Sequence, residues 1–112
     1  MDRLFVYGSQ QPGAPNEHML APLGGKWQVG TVKGRLVSKG WGADLGFPGI
    51  VLDDQAEAVS GQLLSSPKIN AFLPELDRFE GEGYRRVTAP VLLDNGESVE
   101  AWIYTLRRDK AT

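Results

Sequence analysis

The chain of 112 residues contains no cysteine and one histidine, His18. The first absence excludes disulfides, thiolate metal sites and a cysteine nucleophile. The second excludes polyhistidine metal centres and points to a protein without a metal cofactor. No apolar run approaches the ~20 residues that a membrane-spanning helix needs. The opening Met1-Asp2-Arg3-Leu4-Phe5-Val6-Tyr7 has no apolar core or small-residue cleavage site, so it does not read as a signal peptide. Basic charge is in short supply too: 12 Lys and Arg against 14 Asp and Glu give a net charge of -2. Such a chain has no electrostatic reason to seek nucleic acid. With no cysteine to oxidise, it suits a cytoplasmic setting.

What is present is ordinary for a globular protein. Hydrophobic residues at 41% and charged residues at 23% exclude wholesale disorder. The length fits one domain over 1–112, with the polar tail 107–112 frayed. Leu4-Phe5-Val6-Tyr7, stopped by Gly8, reads as a buried strand feeding a loop. Residues 26–37 read as a strand that Gly30 and Gly34 bend or bulge, as at a barrel corner. Gly49–Leu52 and Ala58–Leu64 are further short strands around an Asp53-Asp54-Gln55 turn. Asp94-Asn95-Gly96 between two β-rich runs predicts a hairpin.

The clearest helix follows Ser66-Pro67, a fitting N-cap and first helical residue. Ile69, Phe72, Leu73, Leu76 and Phe79 make one apolar stripe. Pro74 predicts a kink, or two short pieces meeting near that residue. Gly81 is a natural stop, which puts Glu80 at the helix end. The pattern as a whole predicts an α+β domain around a curled, largely antiparallel sheet.

Two places can carry chemistry. The loop after Tyr7, Gly8-Ser9-Gln10-Gln11-Pro12-Gly13, offers backbone amides able to wrap a carboxylate or phosphate. On spacing alone a plain surface turn is the favoured reading. Glu80 sits where the partial negative charge of a helix C-terminus disfavours ionisation, which tunes a carboxylate towards general acid–base work. The residue types alone leave open a solvated glutamate beside a helix stop. Asp77 and Glu82 compete for the role, Asp77 being expected exposed or paired with Arg85 or Arg86. Tyr84 is a pocket wall or a core residue, and Trp41 and Phe47 are candidate pocket aromatics.

Several segments together resemble a known family. They are Leu4-Phe5-Val6-Tyr7-Gly8-Ser9, Gly13-x-Pro15-Asn16, Phe47-Pro48-Gly49-Ile50, Val59-x-Gly61-x-Leu63, Leu76-Asp77-x-Phe79-Glu80-Gly81, Tyr84-x-Arg86 and Val99-x-Ala101-Trp102-x-Tyr104. Their order over residues 3–105 resembles the gamma-glutamylcyclotransferase-like superfamily, most closely its gamma-glutamylamine cyclotransferase, AIG2-like branch. The resemblance implies a small closed or nearly closed β-barrel with one or two flanking helices, and a pocket at one end. It implies Glu80 as the catalytic glutamate, and Tyr7, Gly8, Ser9, Gln10 and Tyr84 as substrate-binding residues. The implied reaction converts a gamma-glutamyl amide to 5-oxoproline and a free amine or amino acid, with no cofactor, no metal and only a small-molecule partner. Gln10 stands where the family usually has leucine, which bears on substrate identity. The alternative is a non-catalytic carboxylate-binding domain that keeps the barrel pocket. Oligomeric state is not written in the sequence.

Overall fold

The computed structural model describes residues 2–7, 20–37, 49–81 and 83–106. Six strands and one helix follow in the order β1 (Arg3–Val6), β2 (Lys26–Val37), β3 (Gly49–Leu52), β4 (Ala58–Ser65), α1 (Ile69–Glu80), β5 (Tyr84–Leu93) and β6 (Ser98–Leu106). A 3-10 turn, Ala21–Leu23, precedes β2. The strand order is β3-β2-β4-β1-β6-β5, and an additional β2–β5 pairing closes the sheet on itself. The result is a five-stranded barrel, β2-β4-β1-β6-β5, with β3 added alongside the second half of β2. All pairings are antiparallel except β1 with β6. The α+β barrel expected from the sequence is therefore the fold observed. No helix among the described residues is long and apolar enough to cross a membrane.

Strand alternation divides the core in two. Phe5, Val32, Ile50, Leu63, Val91 and Ile103 share one cluster to which every strand contributes, so it fills the barrel. Leu4, Val6, Leu64 and Tyr104 point the other way and meet Ile69, Leu73 and Leu76 of α1. The helix thus covers one outer face of the barrel with its apolar stripe.

Closure depends on close approach. Gly30 pairs with Leu93 across the β2–β5 seam and with Gly61 of β4 on its other side. A β-carbon on Gly30 would come within 2.8 Å of the Val91 side chain, and one on Gly61 within 2.4 Å of the Val6 carbonyl oxygen and 2.5 Å of the Phe5 ring. Gly30 is thus a strand-crossing position, as expected of a barrel corner. The expected hairpin is also present: the Leu93 amide donates to the Glu97 carbonyl at 2.8 Å, and Gly96 takes φ 92°.

Two expectations for the helix need correction. It begins at Ile69 rather than beside Ser66, with Lys68 in the N-cap position and no side-chain cap. Ser66 is instead buried, donating from Oγ to the Leu23 carbonyl (2.9 Å) while accepting the Lys68 amide (3.2 Å). Its hydroxyl ties the approach to β2 to the turn before α1, and the turn at 66–69 delays the helix. Pro74 does not divide the helix, which runs unbroken from Ile69 to Glu80. Leu73 and Leu76, on either side of Pro74, are both buried in one cluster and hold both turns to one surface, while Pro74 itself is exposed. The single missing amide is outweighed by that shared burial. Gly81 stops the helix as expected, at φ 80° with its amide bonded to the Asp77 carbonyl.

Gly61→Ala should destabilise the protein by about 1–3 kcal/mol, because the obstruction includes main chain that cannot swing away. Gly83→Ala, where a β-carbon meets nothing within 4 Å, should stay within about 0.5 kcal/mol of the parent. Denaturant melts of the two variants give the comparison.

Candidate active site

At one end of the barrel Tyr7 directly follows β1, and its hydroxyl has two main-chain partners from other strands. It donates to the Tyr104 carbonyl of β6 at 2.6 Å and accepts the Ile50 amide of β3 at 3.0 Å. Tyr7 is half-buried, and burial above all pushes its hydroxyl well above the usual tyrosine pKa; the Ile50 amide opposes this, while the nearby Glu80 carboxylate and Tyr84 add to it. The hydroxyl therefore stays protonated and acts as a brace between strands.

Tyr104 continues the network from its other end. Its own hydroxyl donates to Asp77 Oδ1 at 2.6 Å. Arg86 grips the same carboxylate with two nitrogens, Nε to Oδ1 at 2.9 Å and Nη2 to Oδ2 at 3.2 Å. The guanidinium also lies 4.4 Å from the centroid of the Trp102 ring, so its plane is held on two sides. This confirms the expectation that Asp77 pairs with Arg85 or Arg86. The bond from Arg86 is the main influence holding the Asp77 carboxyl below its ordinary range, and the Tyr104 bond works in the same direction. Burial, and next the Asp77 bond, drive the Tyr104 hydroxyl upward, and Glu80 contributes to the same shift.

Glu80 is half-buried at the last position of α1, one helical turn beyond Asp77. Its charge adds to the upward shift of both the Tyr7 and the Tyr104 hydroxyls. Tyr84, the first residue of β5, is buried in the cluster beneath the helix and also lines an open cavity of about 550 Å³. The other walls are Asp77, Arg78, Gly81, Arg85, Arg86 and Tyr104. Tyr84 is thus both of the things expected of it, core residue and wall. Gly8, Ser9 and Gln10, with Glu82, Trp41 and Phe47, lie outside the described residues.

The structure accordingly brings Glu80, Tyr7 and Tyr84 to one end of the barrel. It adds Tyr104, which sequence reasoning passed over. A signal was available: the hairpin at 94–96 fixes the β5–β6 register, and counting back from it sets Arg86 opposite Tyr104. Both side chains then face the same side of the sheet as Asp77.

Comparison with known proteins adds an independent line. The sequence matches the family described as gamma-glutamyl cyclotransferase, AIG2-like, over residues 4–112. Curated protein sequences give no match. Among solved structures, YkqA from Bacillus subtilis superimposes with a TM-score of 0.73 at 28% identity, covering 95% of this chain but 36% of its own. This chain therefore spans little more than a third of that relative. An AIG2-like protein from Mus musculus gives a TM-score of 0.73 at 22% identity, covering 99% of this chain and 81% of its own. A structure described as gamma-glutamyl cyclotransferase gives 0.67 at 19% identity, covering 95% and 66%. At those identities the last two establish the fold.

Tyr7→Phe removes the acceptor of the Ile50 amide and a donor to Tyr104 at once. It should cost about 1–3 kcal/mol, read as a lowered melting temperature. Asp77 makes a pH prediction. Its folded pKa lies below the unfolded value of about 3.9, so its contribution is present above that pH and is lost as pH falls through the folded value. The Asp77 side chain is 44% exposed, so solvent screening holds the contribution to about 1 kcal/mol or less. Arg86→Met should flatten the loss of stability between about pH 5 and pH 2, measured by denaturant melts across that range.

Proposed function

The chain belongs to the gamma-glutamyl cyclotransferase, AIG2-like family, and on that premise we propose that it cleaves a gamma-glutamyl amide by intramolecular aminolysis. The substrate's free α-amine attacks its own γ-carbonyl carbon, closing a five-membered ring. The tetrahedral intermediate then expels the amine of the amide, leaving 5-oxoproline. The nucleophile belongs to the substrate, in keeping with a chain that has no cysteine.

The observation that supports this reading best is the position of Glu80. It closes α1 near enough to the braced tyrosines Tyr7 and Tyr104 for its charge to act on their hydroxyls, and the next residue, Gly81, lines the cavity that Tyr84 walls. In the proposed reaction Glu80 takes a proton from the α-ammonium, which frees the lone pair that attacks. It then gives that proton to the departing nitrogen and takes the remaining extra proton from the ring nitrogen, so one carboxylate serves as base and acid in turn. The amides of Gly8, Ser9 and Gln10 hold the α-carboxylate and set the amine near the γ-carbonyl. Tyr7 and Tyr84 wall the site about the substrate's methylene groups. Holding the chain curled in a near-attack geometry is worth roughly 7 kcal/mol or more in favourable cases. That makes folding the substrate the larger task and proton transfer the smaller one. We place this activity in the cytoplasm, consistent with the absence of cysteine.

The test is release of 5-oxoproline from a panel of gamma-glutamyl amines, gamma-glutamyl amino acids and glutathione. We expect one class to turn over, and Glu80→Gln to lose at least ~100-fold in rate while keeping its fold. A folded Glu80→Gln protein that releases 5-oxoproline at the parental rate would end the acid–base assignment.

A further inference from the structure

Resting on the reading of Glu80 as the acid–base group, we propose that Asp77, Arg86 and Tyr104 are positioning residues that clamp the last turn of α1 and so hold Glu80 at the barrel mouth. The apolar grip of the helix is strongest at Ile69, Leu73 and Leu76, all buried. In the final turn only Phe79 and Glu80 are even half-buried. Terminal turns open at the lowest free energy in a fold. Pro74 leaves this short helix one main-chain bond poorer. Such an end gains from an anchor beyond the packing of the helix.

Asp77 supplies that. Its main-chain carbonyl accepts the Gly81 amide at 3.1 Å, which closes the turn containing Glu80. Its side chain meanwhile reaches two strands, Arg86 on β5 and Tyr104 on β6. Arg86 is itself set against the Trp102 ring, so its fork is pre-oriented. Tyr104 is held at its backbone by the Tyr7 hydroxyl, which is held in turn by Ile50. One chain of hydrogen bonds therefore runs from β3 through β1 and β6 to the turn that carries Glu80. An ion pair this exposed adds little to stability; a pair with a bidentate fork, an aromatic backing and a third donor is better suited to fixing a geometry.

A clamp of this kind couples to Glu80 through charge as well as position. Among the described residues, Tyr7 and Tyr104 feel the Glu80 charge, and Asp77, Arg78, Tyr84, Arg85, Arg86 and Tyr104 line the cavity beside Gly81. Asp77→Asn leaves the Arg86 cation uncompensated, so Glu80 should stay ionised to lower pH. Arg86→Met leaves the Asp77 anion uncompensated, so Glu80 should protonate at higher pH. A contact that only steadied the fold, with Glu80 held elsewhere, would leave its titration where the parent has it.

The experiment is a 13C NMR titration of the Glu80 carboxyl in the parent, Asp77→Asn and Arg86→Met, alongside kcat and KM. We expect displacements of opposite sign, each roughly half a pH unit. We also expect kcat to fall roughly 10- to 100-fold, with KM within about threefold of the parent. No displacement in either variant, or a parental kcat in both, overturns the proposal. Should either variant fail to fold, Arg86→Lys decides: it keeps the charge and loses the fork, so kcat should still fall, and a parental kcat overturns the clamp. An inactive parent removes the cyclotransferase reading; the displacements are read without turnover and still show whether the clamp reaches Glu80.

Discussion

The phenolic oxygen of Tyr7 has to satisfy an amide from β3 and a carbonyl from β6 together, and the geometry of the barrel mouth follows from that demand. β1 and β3 are not neighbours in the sheet, and β1 meets β6 by a single parallel register pair, Leu4 with Trp102. Ordinary ladder bonds therefore do little to fix these three strands at this end. The Tyr7 hydroxyl does so at 2.6 Å and 3.0 Å, in a half-buried place where an unpaired amide or carbonyl is costly. Burial keeps the hydroxyl protonated, which its role as donor requires.

The charged part of the site is built outward from that brace. Tyr104 connects it to Asp77, and Asp77 to Arg86, so the helix end inherits the rigidity of the barrel. The two carboxylates one helical turn apart stand in unlike surroundings. Asp77 is bonded on both oxygens to a cation and is kept ionised. Glu80 stands at the C-terminal end of the helix, near the hydroxyls of Tyr7 and Tyr104. Paired titratable groups in unlike environments are the usual arrangement by which one acts as anchor and the other as acid or base.

Much of this was legible in the sequence because it is local. The glycine stop at Gly81 put Glu80 at a helix end, and Asp94-Asn95-Gly96 announced the β5–β6 hairpin. Alternation around Gly30 and Gly34 hinted at a barrel corner. What could not be read is non-local. The bonds that make the site join residues 97 apart, Tyr7 to Tyr104, and 27 apart, Tyr104 to Asp77, and no periodicity records them. The same holds for Ser66, whose capping chemistry is real but is shared with a carbonyl 43 residues away, so the helix starts later than local rules imply. Pro74 does not split the helix in two because Leu73 and Leu76 on either side of it are buried together, which propensity alone does not record.

The central claim is that the substrate's own amine, and not water, breaks the amide. It is tested most directly by running turnover of a gamma-glutamyl substrate in water enriched in 18O and reading the product by mass spectrometry. Intramolecular aminolysis predicts 5-oxoproline carrying no label at its ring carbonyl. Glutamate labelled at the γ-carboxylate would mean that water attacks, and would contradict the account.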